Sequence, residues 1–366
     1  MAGYTSGMSP SDIVRMRIAN QHIAAADFTK PQAVVGHMLA MQAQDYSGGL
    51  WAIGLRMDSA GKETVEQAIV DRQIVRTWPM RGTLHFVAAE DIRWMLRLLT
   101  PRVLSGAASR HRNLELDDEV FAKAAAIVRK ELQDGQVKTR SQLMAALEAR
   151  GIATRSQRGI HILWYLSMQE LICFGPHAAK EPTFVLLDSW LPKTRELAAD
   201  EAVAELTQRF FISHGPATEA DLARWSGLPL GMVRRGIETV KAQLASADSN
   251  GETFWFHRDT PAAGVSDTFL LPGFDEFILG YKNRSLMIEL AENQSKIVPG
   301  NNGVFQNTIV SDGRVIGTWR RAAKRDHLAI TLLPFQRLAP AEQHAAEIVA
   351  GRYAAFFDTT ATVTTA

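Results

Sequence analysis

Two short stretches carry side chains whose types and spacing suit chemistry. In Met41-Gln42-Ala43-Gln44-Asp45, two amides stand one residue apart where an amphipathic run ends. In Met80-Arg81-Gly82-Thr83-Leu84-His85, a guanidinium, a hydroxyl and an imidazole recur at every second position. The local backbone decides whether either set can work on one ligand. Helical residues two apart point about 200° from one another. Gln42 and Gln44 therefore face one pocket only if the helix stops there. The spacing predicts a helix over residues 30–44 that runs out at the glutamines, with Gly48-Gly49 as the permissive backbone of its ending. The alternative is a pair of solvated amides at a helix C-terminus. Strand geometry puts Arg81, Thr83 and His85 on one face, and Gly82, Leu84 and Phe86 on a core face. Here the alternative is a solvated strand face.

The elements around these stretches repeat a pattern. Helices at residues 30–44 and 62–72 precede an extended ribbon over 75–87. A helix over 89–99 ends at Thr100-Pro101. Helices over 119–132, 142–150 and 155–171 lead to an apolar strand at 184–187. Helices over 202–213, 219–225 and 230–244 lead to a strand at 252–256. Helix, short helix, longer helix and wing make a winged helix-turn-helix. Thr139-Arg140-Ser141-Gln142-Leu143 and Thr218-Glu219-Ala220-Asp221-Leu222 open two of these modules alike. After Pro261 the composition shifts to short strands over 269–281, 296–298, 303–310, 314–321 and 328–333, with Asp312-Gly313 as a hairpin signal. A last helix opens at Pro340, and the Thr/Ala-rich tail from Thr359 is expected to fray. The expected class is α+β: tandem winged helices over 1–115, 116–195 and 196–262, then a small β-barrel with a helix over 263–366.

Composition narrows the function classes. The chain has 366 residues, 46% hydrophobic and 22% charged, with 40 Lys+Arg against 39 Asp+Glu. That is an ordinary globular balance without a whole-chain basic signal for nucleic acid. Arg102, Arg110 and Arg112 form a local basic patch with His111 and no acid among them. The single cysteine, Cys173, excludes intramolecular disulfides and thiolate-clustered zinc, and its apolar neighbours make it a buried thiol. The ten histidines are scattered, so no metal and no cofactor is expected. No signal-like segment and no run of roughly 18 apolar residues points to a membrane, so the cytoplasm is the expected compartment.

Four motifs in series carry a family resemblance. They are Met41-Gln42-Ala43-Gln44, Met80-Arg81-Gly82-Thr83-Leu84-His85, Leu271-Pro272-Gly273-Phe274-Asp275-Glu276-Phe277-Ile278-Leu279-Gly280-Tyr281 and Asp312-Gly313-Arg314-Val315-Ile316-Gly317-Thr318-Trp319-Arg320. Their order resembles that of the bacterial winged-helix alkylpurine DNA glycosylases, the AlkZ and YcaQ group, over nearly the whole chain. The resemblance implies tandem winged helices with a C-terminal barrel in a C-shaped molecule. The family's catalytic motif is glutamine, an apolar residue, then glutamine in the AlkZ branch, or aspartate last in the YcaQ branch. Carried over, the catalytic pair is Gln42 and Gln44. Asp45 is out of register for the aspartate variant, so the chain sits nearer the AlkZ branch.

The resemblance implies a monofunctional glycosylase that acts, as a monomer without metal or cofactor, on double-stranded DNA bearing alkylated bases. Hydrolysis of an N-glycosidic bond builds positive charge on the sugar. A purine alkylated at N7 or N3 is already cationic and leaves neutral, so no general acid is required. Two amides then suffice to position water and sugar. Arg81, Thr83 and His85 are expected to line the cleft, with Arg102, Arg110, Arg112, Arg155 and Arg158 on phosphates. Asp275, Tyr281 and Arg284 read either as a structural network or as a contact surface. The rival class is a non-catalytic winged-helix regulator. It would read bases from Arg155, Gln157 and Arg158, or from Arg234, Arg235 and Lys241.

Overall fold

The computed structural model describes residues 4, 5, 7–179, 181–260, 267–301 and 303–366. The domain boundary expected at 262/263 lies outside the described residues. The chain forms two compact units, one from Met1–Val65 with Val203–Ala366 and the other from Glu66–Ala202.

In the first unit the glutamine motif is not on a helix. The helix Pro31–Met38 starts on its proline, as the missing N–H there costs nothing, and buries Val34, Val35 and Met38. It stops at Leu39, which takes φ 65°. Ala40–Gln42 is extended, and a new helix, Tyr46–Leu55, follows directly. The helix expected to reach the glutamines therefore ends short of them. Gly48 and Gly49 lie inside the second helix, not at an ending. Smallness at Gly48 and Gly54 serves packing: a Cβ on Gly48 would stand 2.8 Å from Asp45 Oδ2 and 3.3 Å from Pro272 Cβ, and one on Gly54 would stand 2.3 Å from Phe356 Cε2. Tyr46–Leu55 is buried from Gly48 onward. It is apolar all round, as a core helix must be. Its Trp51 donates to the Leu270 carbonyl (2.9 Å) and meets Tyr353 edge-on at 5.1 Å.

Residues 268–271, 307–311, 314–323, 327–334 and 360–365 form a five-stranded sheet in that order. It is antiparallel except for the last strand. The expected small β-barrel is thus, among the described residues, an open, curled half-barrel sheet. The turn at Asp312-Gly313 has φ 47° and 78°, the mirror-type turn that a two-residue hairpin favours. Three expectations are corrected here. Pro272-Gly273 ends the first strand, and Glu276–Leu279 is a short helix. Residues 296 and 297 end a helix, Ala291–Ile297, instead of forming a strand. Thr360–Thr365 is not frayed: its β-branched threonines pair in parallel with His327–Leu332. The helices Ala199–Ser213, Glu219–Ser226 and Leu230–Val240 precede an antiparallel pair, Leu244–Ser249 with Glu252–His257.

In the second unit a hairpin, Ile74–Met80 with Thr83–Ala88, precedes the helices Ile92–Gly106, Ala108–Asn113, Asp118–Leu132, Arg140–Glu148 and Arg158–Met168. A small sheet of Lys138–Thr139, Thr183–Leu186 and Ile172–Phe174 completes it. Phe121, Leu143, Ile162, Leu163 and Phe184 belong to its core. Ile92–Gly106 runs through Pro101 instead of stopping before it, and the Thr100 hydroxyl donates to the Leu96 carbonyl (2.8 Å). The last helix starts at Arg158, later than expected, because Ser156 and Gln157 take left-handed φ of 56° and 72°. Thr139 with Gln142, and Thr218 with Asp221 in the first unit, each close a reciprocal capping box.

Candidate active site

Gln42 and Gln44 differ in surroundings. Gln42 ends the short strand and is only 9% exposed; Gln44 follows on an exposed loop, with exposed Asp45 next. An extended backbone, unlike a helix, lets residues two apart project to the same side. The Gln42 N–H donates to Glu276 Oε1 at 3.0 Å. Beside it lies a crevice of about 170 Å³ lined by Gln42, Asp45, Gly48, Pro272 and Phe274, with no room for a water-sized molecule.

Beneath the motif is a buried polar network. The Trp225 indole donates to Glu276 Oε2 at 2.8 Å. His214 Nε2 is 3.7 Å from the same oxygen, too far for a hydrogen bond. Burial holds His214 below its usual pKa even beside that carboxylate. Arg56 meets both oxygens of Asp275 at 2.9 Å, each residue being fully buried. It also donates to Gln21 Oε1, to the Gln21 carbonyl and to the Ala52 carbonyl. Gln21 Nε2 donates to the Tyr281 hydroxyl, which donates to the His214 carbonyl. Arg17 sits 3.6 Å over the Tyr281 ring, and burial pushes the phenol pKa up. Asp275 and Tyr281 are therefore network members and not a contact surface. Arg284 donates to the Ile278 carbonyl and lies over Phe305. Sequence reasoning misses the roles of Glu276 and Arg56. An acid between Phe274 and the apolar run 277–279 was the available signal for Glu276.

In the second unit Arg81 is in the hairpin turn, not on the strand face with Thr83 and His85. Arg81 and Gly82 take φ 54° and 75° between the paired Met80 and Thr83. That is the two-residue mirror turn, and glycine fits its second position without strain. The guanidinium nevertheless returns to His85, Nη2 donating to Nε2 at 3.2 Å. Nδ1 then carries the imidazole proton and donates to the Thr83 carbonyl at 2.9 Å. His85 is fully buried with both nitrogens engaged. Among the described residues, the hydroxyls of Thr77 and Thr83 have no hydrogen-bond partner.

The remaining arginines divide. Arg102, Arg110, Arg112 and Arg155 are exposed, and Arg110 also holds Gln157 Oε1 at 2.7 Å. Arg158 is spent on the carbonyls of Ala153, Leu114 and Glu115. On the rival recognition helix Leu230–Val240, Arg234 is paired with Glu219 and Arg235 is exposed, and Lys241, just past the helix end, is paired with Glu238. No group of three or more His, Cys, Asp or Glu among the described residues is placed to hold a metal ion. Among the described residues, no helix is long and apolar enough to cross a membrane.

The family profile described as DNA glycosylase AlkZ-like matches residues 35–356. An interstrand DNA cross-link repair glycosylase of Streptomyces sahachiroi is 27% identical over 315 residues, spanning 80% of this chain and 82% of the relative. The solved structure of Streptomyces sahachiroi DNA glycosylase AlkZ superposes with a TM-score of 0.81 at 24% identity, covering 98% of this chain and all of that one.

Proposed function

The chain is a member of the AlkZ-like DNA glycosylase family, and from that premise we propose that it hydrolyses the N-glycosidic bond of alkylated, cationic purines in double-stranded DNA. Gln44, exposed on its loop, orients the attacking water or the deoxyribose, and Gln42 supports it from the buried end of the strand. Arg81, aimed by His85, holds a phosphate flanking the lesion. Exposed Arg102, Arg110, Arg112 and Arg155 supply further phosphate contacts. Arg158 is a structural support for that surface.

The observation that carries the reading is the backbone of the glutamine motif. It leaves the helix before Gln42, so both amides can serve one face. The leaving base is a cation that departs neutral, and the amides need only position water against a sugar gaining positive charge. The crevice at Gln42 cannot enclose a purine, which favours partial extrusion of the lesion and tolerance of bulky adducts. The relative's named activity on interstrand cross-links makes such adducts a natural second substrate. The pairing of Arg234 and Lys241 with neighbouring acids weighs against a base-reading regulator. The same reading treats residues 1–115, 116–195 and 196–262 as three winged-helix segments ahead of the sheet. It has the protein acting as a monomer on DNA in the cytoplasm.

The test is incubation with duplex containing 7-methylguanine. Free 7-methylguanine and an abasic strand are expected, with normal purines retained. Duplex binding without base release would favour the regulator.

A further inference from the structure

The loop that carries Pro272-Gly273-Phe274 ends in two adjacent acids, and each takes hold of one end of the same stretch of chain. Glu276 Oε1 accepts the Gln42 N–H at 3.0 Å. Asp275 grips Arg56, the residue just after the helix Tyr46–Leu55, through two bonds of 2.9 Å. Residues 42–56 contain Gln44 and the whole helix that follows it. We propose that Asp275 and Glu276 form a two-pronged clamp that sets the position of the glutamine loop. Glu276 is then a positioning residue for the excision reaction. This inference rests on Gln42 and Gln44 being the reacting pair.

Three observations support the clamp. Both acids are buried, at 0% and 1% exposure, so each holds its partners without competition from water. Glu276 is itself fixed from its far side by the Trp225 indole on the helix Glu219–Ser226. Asp275 is fixed by accepting the Phe277 N–H, which caps the short helix Glu276–Leu279. The turn is also closed to enlargement. A Cβ on Gly273 would stand 2.1 Å from the Phe305 carbonyl oxygen, and Gly273 N donates to Asn307 Oδ1 at 2.9 Å. The sheet thus anchors the turn, the turn anchors the two acids, and the acids anchor the loop.

Glu276→Gln is the sharpest variant. A glutamine at this site can accept one of the two N–H donors but must turn its own NH2 toward the other. Three readouts are taken on the full-length protein. They are single-turnover release of 7-methylguanine, affinity for undamaged duplex, and amide hydrogen exchange of the peptide over residues 40–45. The expected result is excision slowed roughly 10- to 100-fold by misplacement of the reacting groups. Duplex affinity should stay within about twofold, because phosphate contacts dominate it. Exchange over 40–45 should rise about tenfold as the loop opens locally. Trp225→Phe, which removes the indole N–H that supports Glu276 and thins the packing against Phe210 and His214, should give a smaller change in the same direction, and it decides the matter if Glu276→Gln does not fold. Wild-type excision and wild-type exchange in folded Glu276→Gln overturn the clamp, as does slowed excision with unchanged exchange. If the wild-type protein releases no base, the glycosylase reading fails, yet the exchange arm still decides whether Glu276 holds the loop.

Discussion

Replacing Arg56 with methionine should destabilise the first unit more than any surface change. The guanidinium donates to both Asp275 oxygens, to Gln21 Oε1 and to the carbonyls of Gln21 and Ala52. Methionine keeps most of the apolar stem, so the loss of packing is small. What remains is a carboxylate at 0% exposure without its cation. Removing one partner of a buried pair costs about 3–5 kcal/mol, because the other charge stays buried. A unit of 150–250 residues loses about 2–4 °C per kcal/mol, so the melting temperature should fall by roughly 10 °C. Thermal melts followed by circular dichroism measure it. A double variant, Arg56→Met with Asp275→Leu, leaves no lone charge and should recover part of the loss. A single variant that melts within about 1 °C of wild type would refute the argument. So would a double variant that melts no higher than the single one.

Acid should destabilise the fold through its histidines. Burial holds His37 at about 4, and holds His214, His111 and His161 below their ordinary values. The unfolded chain takes up these protons near pH 6.5, whereas the folded chain resists them. Stability is therefore full above that pH and falls between about 6.5 and 4, by up to about 1.4 kcal/mol per pH unit from His37 alone. Urea midpoints at pH 7 and pH 5 compare the two states; a higher midpoint at pH 5 contradicts the sign. Arg155→Ala, at an exposed position, should lower the log–log salt slope of duplex binding by about 0.9, while Arg158→Ala should lower the melting temperature and barely change that slope. Cys173 is fully buried and burial pushes its thiol pKa up, so Ellman's reagent should find no thiol in the native protein and one after denaturation.

The parts of the fold that declare themselves in the sequence are those with local chemistry. Asp312-Gly313 reads as a hairpin turn because the two residues tolerate positive φ, and they adopt it. The stretches at Thr139 and Thr218 read as two modules opening alike, and in each the threonine closes a capping box with the Gln or Asp three residues on. The glutamine motif misleads because its helix ends on Leu39 at φ 65°, a residue that carries no turn signature. The apolar stripe of Val34, Val35 and Met38 continues into Met41, which is buried equally well in the strand that follows. The Thr/Ala content of the tail suggests fraying, although alternating threonines are strand formers. The role of Glu276 escapes the sequence for a different reason. Its partners, Gln42 and Trp225, are distant in sequence, and only the tertiary fold brings their N–H groups to one carboxylate.

The central claim is that two amides do the work of the site. Single-turnover release of 7-methylguanine, with wild-type protein beside Gln44→Ala and the double variant Gln42→Ala, Gln44→Ala, tests it most directly. Loss of one or two oriented hydrogen bonds should slow Gln44→Ala by roughly 10- to 1,000-fold, at about 1.4 kcal/mol per tenfold. Affinity for the duplex should barely change, because phosphate contacts dominate it. Gln44→Asp should keep or raise the rate, since a carboxylate still orients water and also stabilises positive charge on the sugar. A double variant that releases the base at the wild-type rate would place the chemistry elsewhere in the chain.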